Sequence, residues 1–190
     1  EDFVGGGKRL RPAFCYWGWR GAGGPDCPAV FTAAASLELL QASALIHDDV
    51  MDRSDLRRGM PSAHRRFQML HEKSGWQGSA EQFGAGAAIL LGNLLLIWSS
   101  EMWRASGLPA AALAAAQPVY DHMRTELMCG QYLDLLEQAR GENTFESALR
   151  VALYKSGKYS VEQPLRLGLT LAARRAEPWI DRLCEQYGRR

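Results

Sequence analysis

No strand pattern runs through this chain. β-Branched residues nowhere alternate with polar ones, while alanine and leucine abound, so the chain reads as helical. Neither sign of charge prevails: 22 Lys and Arg stand against 21 Asp and Glu. That balance excludes the basic field that nucleic-acid binding needs. Cysteine is sparse and scattered. Cys15, Cys27, Cys129 and Cys184 form no CxxC and no dense framework, so they read as free thiols in a reducing compartment. No signal peptide opens the sequence, and a cytoplasmic location is the expectation. No integral membrane segment is expected either, because the most apolar window, Ala85 to Trp98, is broken by Gly92 and Asn93. It reads as a buried helix or one in a subunit interface. There is no repeat, linker or low-complexity tract, and the length suits a single domain with a real core.

Against that plain background one stretch stands out: Leu45-Ile46-His47-Asp48-Asp49-Val50-Met51-Asp52, followed by Arg57-Arg58-Gly59. On a helix Asp48 and Asp52 lie on one face, with Asp49 about 100° round. Like charges so spaced repel, and a cation between them turns that cost into a gain. Carboxylate oxygens suit a hard ion, and magnesium takes one or two of them together with substrate phosphates. The alternative is a solvated acidic helix end. The company favours the ion: the residues from Phe31 to Ile46 are nearly all apolar or small, and Arg57 and Arg58 carry the planar forks that hold phosphate oxygens.

Elsewhere, Gly5-Gly6-Gly7-Lys8-Arg9-Leu10-Arg11-Pro12 sets three cations between flexible glycines and a helix-starting proline. Such a helix start favours anions; an ordinary basic surface cap fits equally well. The GxxxxGK[ST] spacing of a Walker loop is absent. Helices are expected at about 12–20, 28–52 and 63–73, with a turn-rich loop at 54–61. His64 and His71 are taken as surface residues. Ser79 with Gln82 makes a capping box for a long apolar helix. The next runs to about Gln138 with a kink at Pro118, and places Gln131 and Asp134 on one face. Gly141 ends it, and Thr144 caps a helix carrying Leu149, Leu153 and Tyr154 inward. Lys155-Ser156-Gly157 reads as a glycine break that frees backbone groups, before two last helices at about 161–173 and 177–190.

GGKRLRP (Gly6 to Pro12), Asp48-Asp49-Val50-Met51-Asp52 with Arg57 and Arg58, GQxxD (Gly130 to Asp134) and Lys155-Ser156 together resemble the trans-isoprenyl diphosphate synthases, in order and approximate spacing. The resemblance runs end to end. It implies an all-α isoprenoid synthase-type helical bundle around a central cavity, a homodimer, and a Mg2+-dependent prenyltransferase. In that reaction an allylic diphosphate ionises, the isopentenyl diphosphate double bond attacks the cation, and a proton is lost. By the same resemblance Asp48 and Asp52 bind metal, with Asp49 supporting them. Arg57 holds the allylic diphosphate, with Lys155, Ser156 and Gln131 on the same side. Lys8, Arg11, Arg58 and Gln41 hold isopentenyl diphosphate.

In the family, large aromatics four and five residues before the motif stop growth at fifteen carbons. Here those positions are Ala44 and Ser43, both small, with Leu40 one turn deeper, so a product of twenty or more carbons is expected. The family's second aspartate-rich motif and the helices that precede its glycine-lysine loop are not among these residues, so the expectation is the core of a longer chain. A class I terpene cyclase is the first alternative, although it leaves Lys8, Arg11 and Arg58 unexplained. A non-catalytic regulatory subunit of a prenyl synthase is the second.

Overall fold

Helix formers dominate, and helices dominate the computed structural model, which describes residue 5 and residues 7–141, 144–173 and 178–188. The order is α1 (Leu10–Gly21), α2 (Pro28–Met51), a minimal hairpin of β1 (Leu56–Arg57) and β2 (Met60–Pro61), then α3 (Ala63–Ser74), α4 (Ala80–Arg104) and α5 (Ala110–Arg140). After these come α6 (Phe145–Ala152), a π-helical segment (Leu153–Glu162), α7 (Gln163–Ala173) and α8 (Pro178–Gly188). The expected all-α class is what forms. The chain divides into two compact units, one of Ser36–Met102 with residue 5, the other of Gly7–Ala35 with the described part of Trp103–Arg190.

The first unit is built on the C-terminal part of α2. Ala42, Ile46, Ala63, Ala88 and Leu95 form its core, with Leu39, Val50, Phe67 and Leu91 packed against them. Small residues let the helices close. A Cβ on Gly84 would strike the His64 carbonyl oxygen, and one on Gly92 would strike the His47 imidazole. His47 Nε2 lies 3.2 Å from the Ile89 carbonyl oxygen, and Ser99 Oγ donates to the Ser36 carbonyl at 2.7 Å. Ser79 Oγ accepts from the Gln82 N–H at 3.2 Å, as the capping pattern predicts.

Three expectations need correction in this unit. His64 and His71 are buried, not surface residues. His64 Nδ1 meets Ser62 Oγ at 3.2 Å, and the His71 ring packs 5.2 Å from that of Phe83 on α4. The loop at 54–61 contains the hairpin. Finally, α4 runs unbroken through Gly92 and Asn93, but it is not buried within the chain: it buries only a narrow stripe. Ile89, Leu90, Leu94, Ile97 and Trp98 all face outward. By length and composition alone, α2 and α4 are long and apolar enough to cross a membrane, and half of the α2 window but only 28% of the α4 window is buried.

In the second unit α1 and α7 cross with their backbones touching. A Cβ on Gly168 would collide with the Cys15 carbonyl oxygen, and one on Gly18 with that of Leu165. α8 closes over α7 through Leu169, Ile180 and Cys184. Burial pushes the thiols of Cys15 and Cys184 up to about 12, so both are inert packing groups. Trp103 stacks on Tyr120 at 4.8 Å and donates Nε1–H to Gln117 at 3.1 Å. α5 runs through Pro118 and ends on Gly141 at φ 66°. Leu149 is exposed rather than inward, while Leu153 and Tyr154 are half-buried. Gly157 does not break the chain; the helix continues through it with widened, i→i+5 turns.

Candidate functional site

The site begins with how α2 ends. Asp48 and Asp49 sit in its last turn, and the Asp52 N–H still bonds to the Asp48 carbonyl at 2.8 Å. Arg53, at φ 52°, then turns the chain away, and the Asp49 carbonyl accepts from the Ser54 N–H at 2.9 Å. In the hairpin Leu56 pairs with Pro61 and Arg57 with Met60, leaving Arg58 and Gly59 as the two turn residues at φ 55° and 78°. Two positive φ angles in succession define a type I′ turn, whose twist matches that of the strands. Arginine in that left-handed conformation costs on the order of 1 kcal/mol.

The reversal at Arg53 brings Arg57 back against α2. The Arg57 Nε–H donates to Asp49 Oδ1 at 2.9 Å, and a terminal nitrogen donates to the same oxygen and to Asp48 Oδ2 at 3.2 Å. The Asp49 side chain is 2% exposed, that of Asp48 16% and that of Arg57 32%. The bond to Asp49 leads the effects that push the Arg57 pKa above its already high value, so this cation persists at any working pH. Asp52 is exposed at the helix end.

Beside the pair lies a cavity of about 240 Å³. Ala42, Leu45 and Ile46 of α2 give it an apolar wall, Met60 and Pro61 close it from the hairpin, and Asp49, Arg57, Arg58 and Arg66 make it polar. The glycine loop reaches it through Gly5, whose carbonyl accepts from Arg58 at 2.7 Å. Of the three acids it is Asp49 that lines this cavity. Deeper along α2, Leu40 and Ser43 are buried and Ala44 is half-buried. Among the described residues, Gln41 Oε1 and Ser43 Oγ are buried without a hydrogen-bond partner.

No three His, Cys, Asp or Glu side chains among the described residues converge to hold a metal ion by themselves. Magnesium does not require three, since it keeps waters and phosphate oxygens beside one or two carboxylates. Asp48 and Asp52, one turn apart and oxygen-only, fit that donor set, with Asp49 committed to Arg57. When bound, such an ion neutralises charge developing on a departing diphosphate.

The remaining candidates belong to the second unit. Lys155 Nζ donates to Asp134 Oδ2 at 2.6 Å, and Gly130 permits the approach, because a Cβ there would sit 3.2 Å from the Lys155 nitrogen. Gln131 is buried on the same helix. Lys8 is exposed just before α1. Arg11 donates to Ser160 Oγ at 2.7 Å and lies 4.4 Å over the Tyr159 ring. The side chain of Ser156 lies outside the described residues.

Sequence reasoning missed Arg66, Tyr159, Ser160 and the Lys158–Glu126 pair at 3.2 Å. Arg66 had a faint signal: it falls one turn into a helix starting after Ser62, beside the loop that carries Arg57. The others join segments far apart in the chain and left no local trace.

Carboxylates at a helix end answered by arginine forks, over an apolar wall, are groups suited to a hard cation and to phosphate oxygens. Comparison with known proteins gives the family. The polyprenyl synthetase profile matches residues 1–190. The nonaprenyl diphosphate synthase of Mycobacterium tuberculosis is 34% identical over 72% of this chain and 37% of its own, and the geranylgeranyl diphosphate synthase of Methanosarcina mazei 30% over 97% and 51%. A crystal structure of geranylgeranyl pyrophosphate synthase from Corynebacterium glutamicum, complexed with isoprenyl diphosphate and magnesium, superposes with a TM-score of 0.92 at 38% identity, covering 98% of this chain and 53% of that one. The chain belongs to the polyprenyl synthetase family. It spans about half the length of these relatives or less.

Proposed function

We propose that this chain is the core of a Mg2+-dependent trans-prenyltransferase that condenses isopentenyl diphosphate with an allylic diphosphate. The observation that carries the proposal is the Asp48–Asp49–Arg57 constellation beside a cavity that also holds Arg58 and Arg66, in a chain matched along its whole length by the family profile. The arrangement suits the chemistry. Diphosphate leaves readily only when its developing charge is neutralised by fixed cations, and an allylic cation survives only where apolar walls exclude water.

In this reading Asp48 and Asp52 hold magnesium, and Asp49 orients Arg57 rather than binding the ion. Arg57, Lys155, Ser156 and Gln131 serve the allylic substrate; Lys8, Arg11, Arg58 and Gln41 serve isopentenyl diphosphate. The buried, partnerless oxygen of Gln41 is a polar group in want of a ligand. Small side chains at Ser43 and Ala44 favour a product of twenty or more carbons, in keeping with relatives named for geranylgeranyl, geranylfarnesyl and nonaprenyl products. The outward apolar face of α4 suits a homodimer, and four free cysteines suit the cytoplasm. The 190 residues are read as one helical domain of a longer synthase, as their share of the relatives' length supports.

The test is incorporation of labelled isopentenyl diphosphate by the whole protein, with farnesyl diphosphate and Mg2+, followed by chain-length analysis of the dephosphorylated product. A product of at least twenty carbons is expected, lost in Asp52→Asn and shortened in Ser43→Phe. No incorporation by the wild type overturns the proposal, and an unshortened product from Ser43→Phe overturns the placement of the chain-length residues.

A further inference from the structure

We infer that Tyr159 and Ser160 are positioning residues for the Arg11 guanidinium, presented to it by the π-helical turns of Leu153–Glu162. The inference rests on the reading of Arg11 as a diphosphate contact. Arginine offers five donors on a long, rotatable stem, and it binds a diphosphate well only if the fork is already aimed. Here one edge of the fork is held by Ser160 Oγ at 2.7 Å, and one face is covered by the Tyr159 ring at 4.4 Å. Tyr159 is 2% exposed, so that ring is a fixed surface.

The π-helical segment explains how one stretch serves two neighbours. Lys155 is pinned to Asp134 and Lys158 to Glu126, both on α5, at 2.6 and 3.2 Å. Ser160, only two residues beyond Lys158, bonds to Arg11 at the start of α1. Widened turns change the angular spacing of successive side chains, and such turns recur at functional sites.

The experiment measures isopentenyl diphosphate affinity by calorimetry, and KM for each substrate, on the whole protein. Ser160→Ala and Tyr159→Leu are expected to weaken isopentenyl diphosphate binding by about threefold to tenfold, as expected for one side chain that must now be ordered on binding, and to leave the allylic KM unchanged. Ser160→Thr and Tyr159→Phe keep the hydroxyl and the ring respectively, so they are expected to bind as the wild type does. Arg11→Gln separates the two claims. If Arg11→Gln weakens binding while Ser160→Ala and Tyr159→Leu do not, the positioning role is wrong and the function stands. If Arg11→Gln has no effect, the assignment of Arg11 fails and this inference with it. Equal losses for both substrates, with a lowered melting temperature, mark a merely structural role and overturn it as well.

Discussion

Replacing Arg57 by leucine tests the electrostatics of the site directly. The guanidinium bridges Asp48 and Asp49, and the Asp49 side chain is 2% exposed. Losing one partner of a fully buried pair costs about 3–5 kcal/mol, whereas a fully exposed pair is worth about 0.2–1 kcal/mol. Arg57 is itself about a third exposed, so water can follow it into the gap, and about 2 kcal/mol is the expected loss. For a chain of this size that is roughly 4–8 °C in melting temperature. The assay is urea unfolding at neutral pH of Arg57→Leu, Asp49→Asn and the double variant, each with EDTA and with millimolar Mg2+. The double variant should lose less than the two single losses summed, because neutralising Asp49 removes the orphaned charge. Mg2+ should restore part of the loss in Arg57→Leu, since a second cation can then answer Asp48. A loss below about 0.5 kcal/mol, with additive single effects, would refute the buried-pair reasoning.

Three further outcomes follow from the geometry. Arg58→Asn puts a residue suited to φ 55° in the type I′ turn, so unfolding free energy should rise by roughly 0.5–1 kcal/mol while pyrophosphate binding weakens. Gly168→Ala drives a methyl group into the α1 backbone at Cys15 and should cost about 3 kcal/mol in thermal unfolding. Gly86→Ala, whose Cβ would meet no neighbour within 4 Å, should instead gain roughly 0.5–1 kcal/mol. Burial, seconded by Arg65, holds the His64 imidazole below its ordinary 6.5, against the weaker pull of Asp49, Asp55 and Glu81. The unfolded imidazole therefore binds a proton more tightly than the folded one. Its contribution is complete above 6.5 and is lost as pH falls towards the folded-state value. Denaturation curves at several pH values below neutrality should show that loss, and His64→Gln should flatten it.

What the sequence discloses and what it hides divide along physical lines. Features decided within a few residues were legible: the i, i+1, i+4 aspartates at the end of α2, the Ser79 cap of α4 and the αL stop at Gly141. The arginines after the aspartates stood out for forks suited to phosphate oxygens. The present partners of Arg57 were not legible, because Arg57 reaches Asp49 through the reversal at Arg53, whose φ of 52° is unusual for arginine. His64 and His71 read as surface residues because no third metal ligand accompanies them in the sequence. Their burial is set by α4, which comes close enough only because residue 84 is glycine. Gly157 gave the opposite error. A glycine inside a helical stretch usually weakens it, but ion pairs from Lys155 and Lys158 to α5 hold the turns together. The hold of Tyr159 and Ser160 on Arg11 spans most of the chain and has no periodic signature.

The most direct test of the central claim, that the acids closing α2 hold a divalent ion for a diphosphate, is a calorimetric titration of the chain with inorganic pyrophosphate, with and without Mg2+. The account predicts binding that needs the metal and is lost in Asp48→Asn and Asp52→Asn alike. Pyrophosphate binding that is indifferent to Mg2+, or that survives both substitutions, would contradict it.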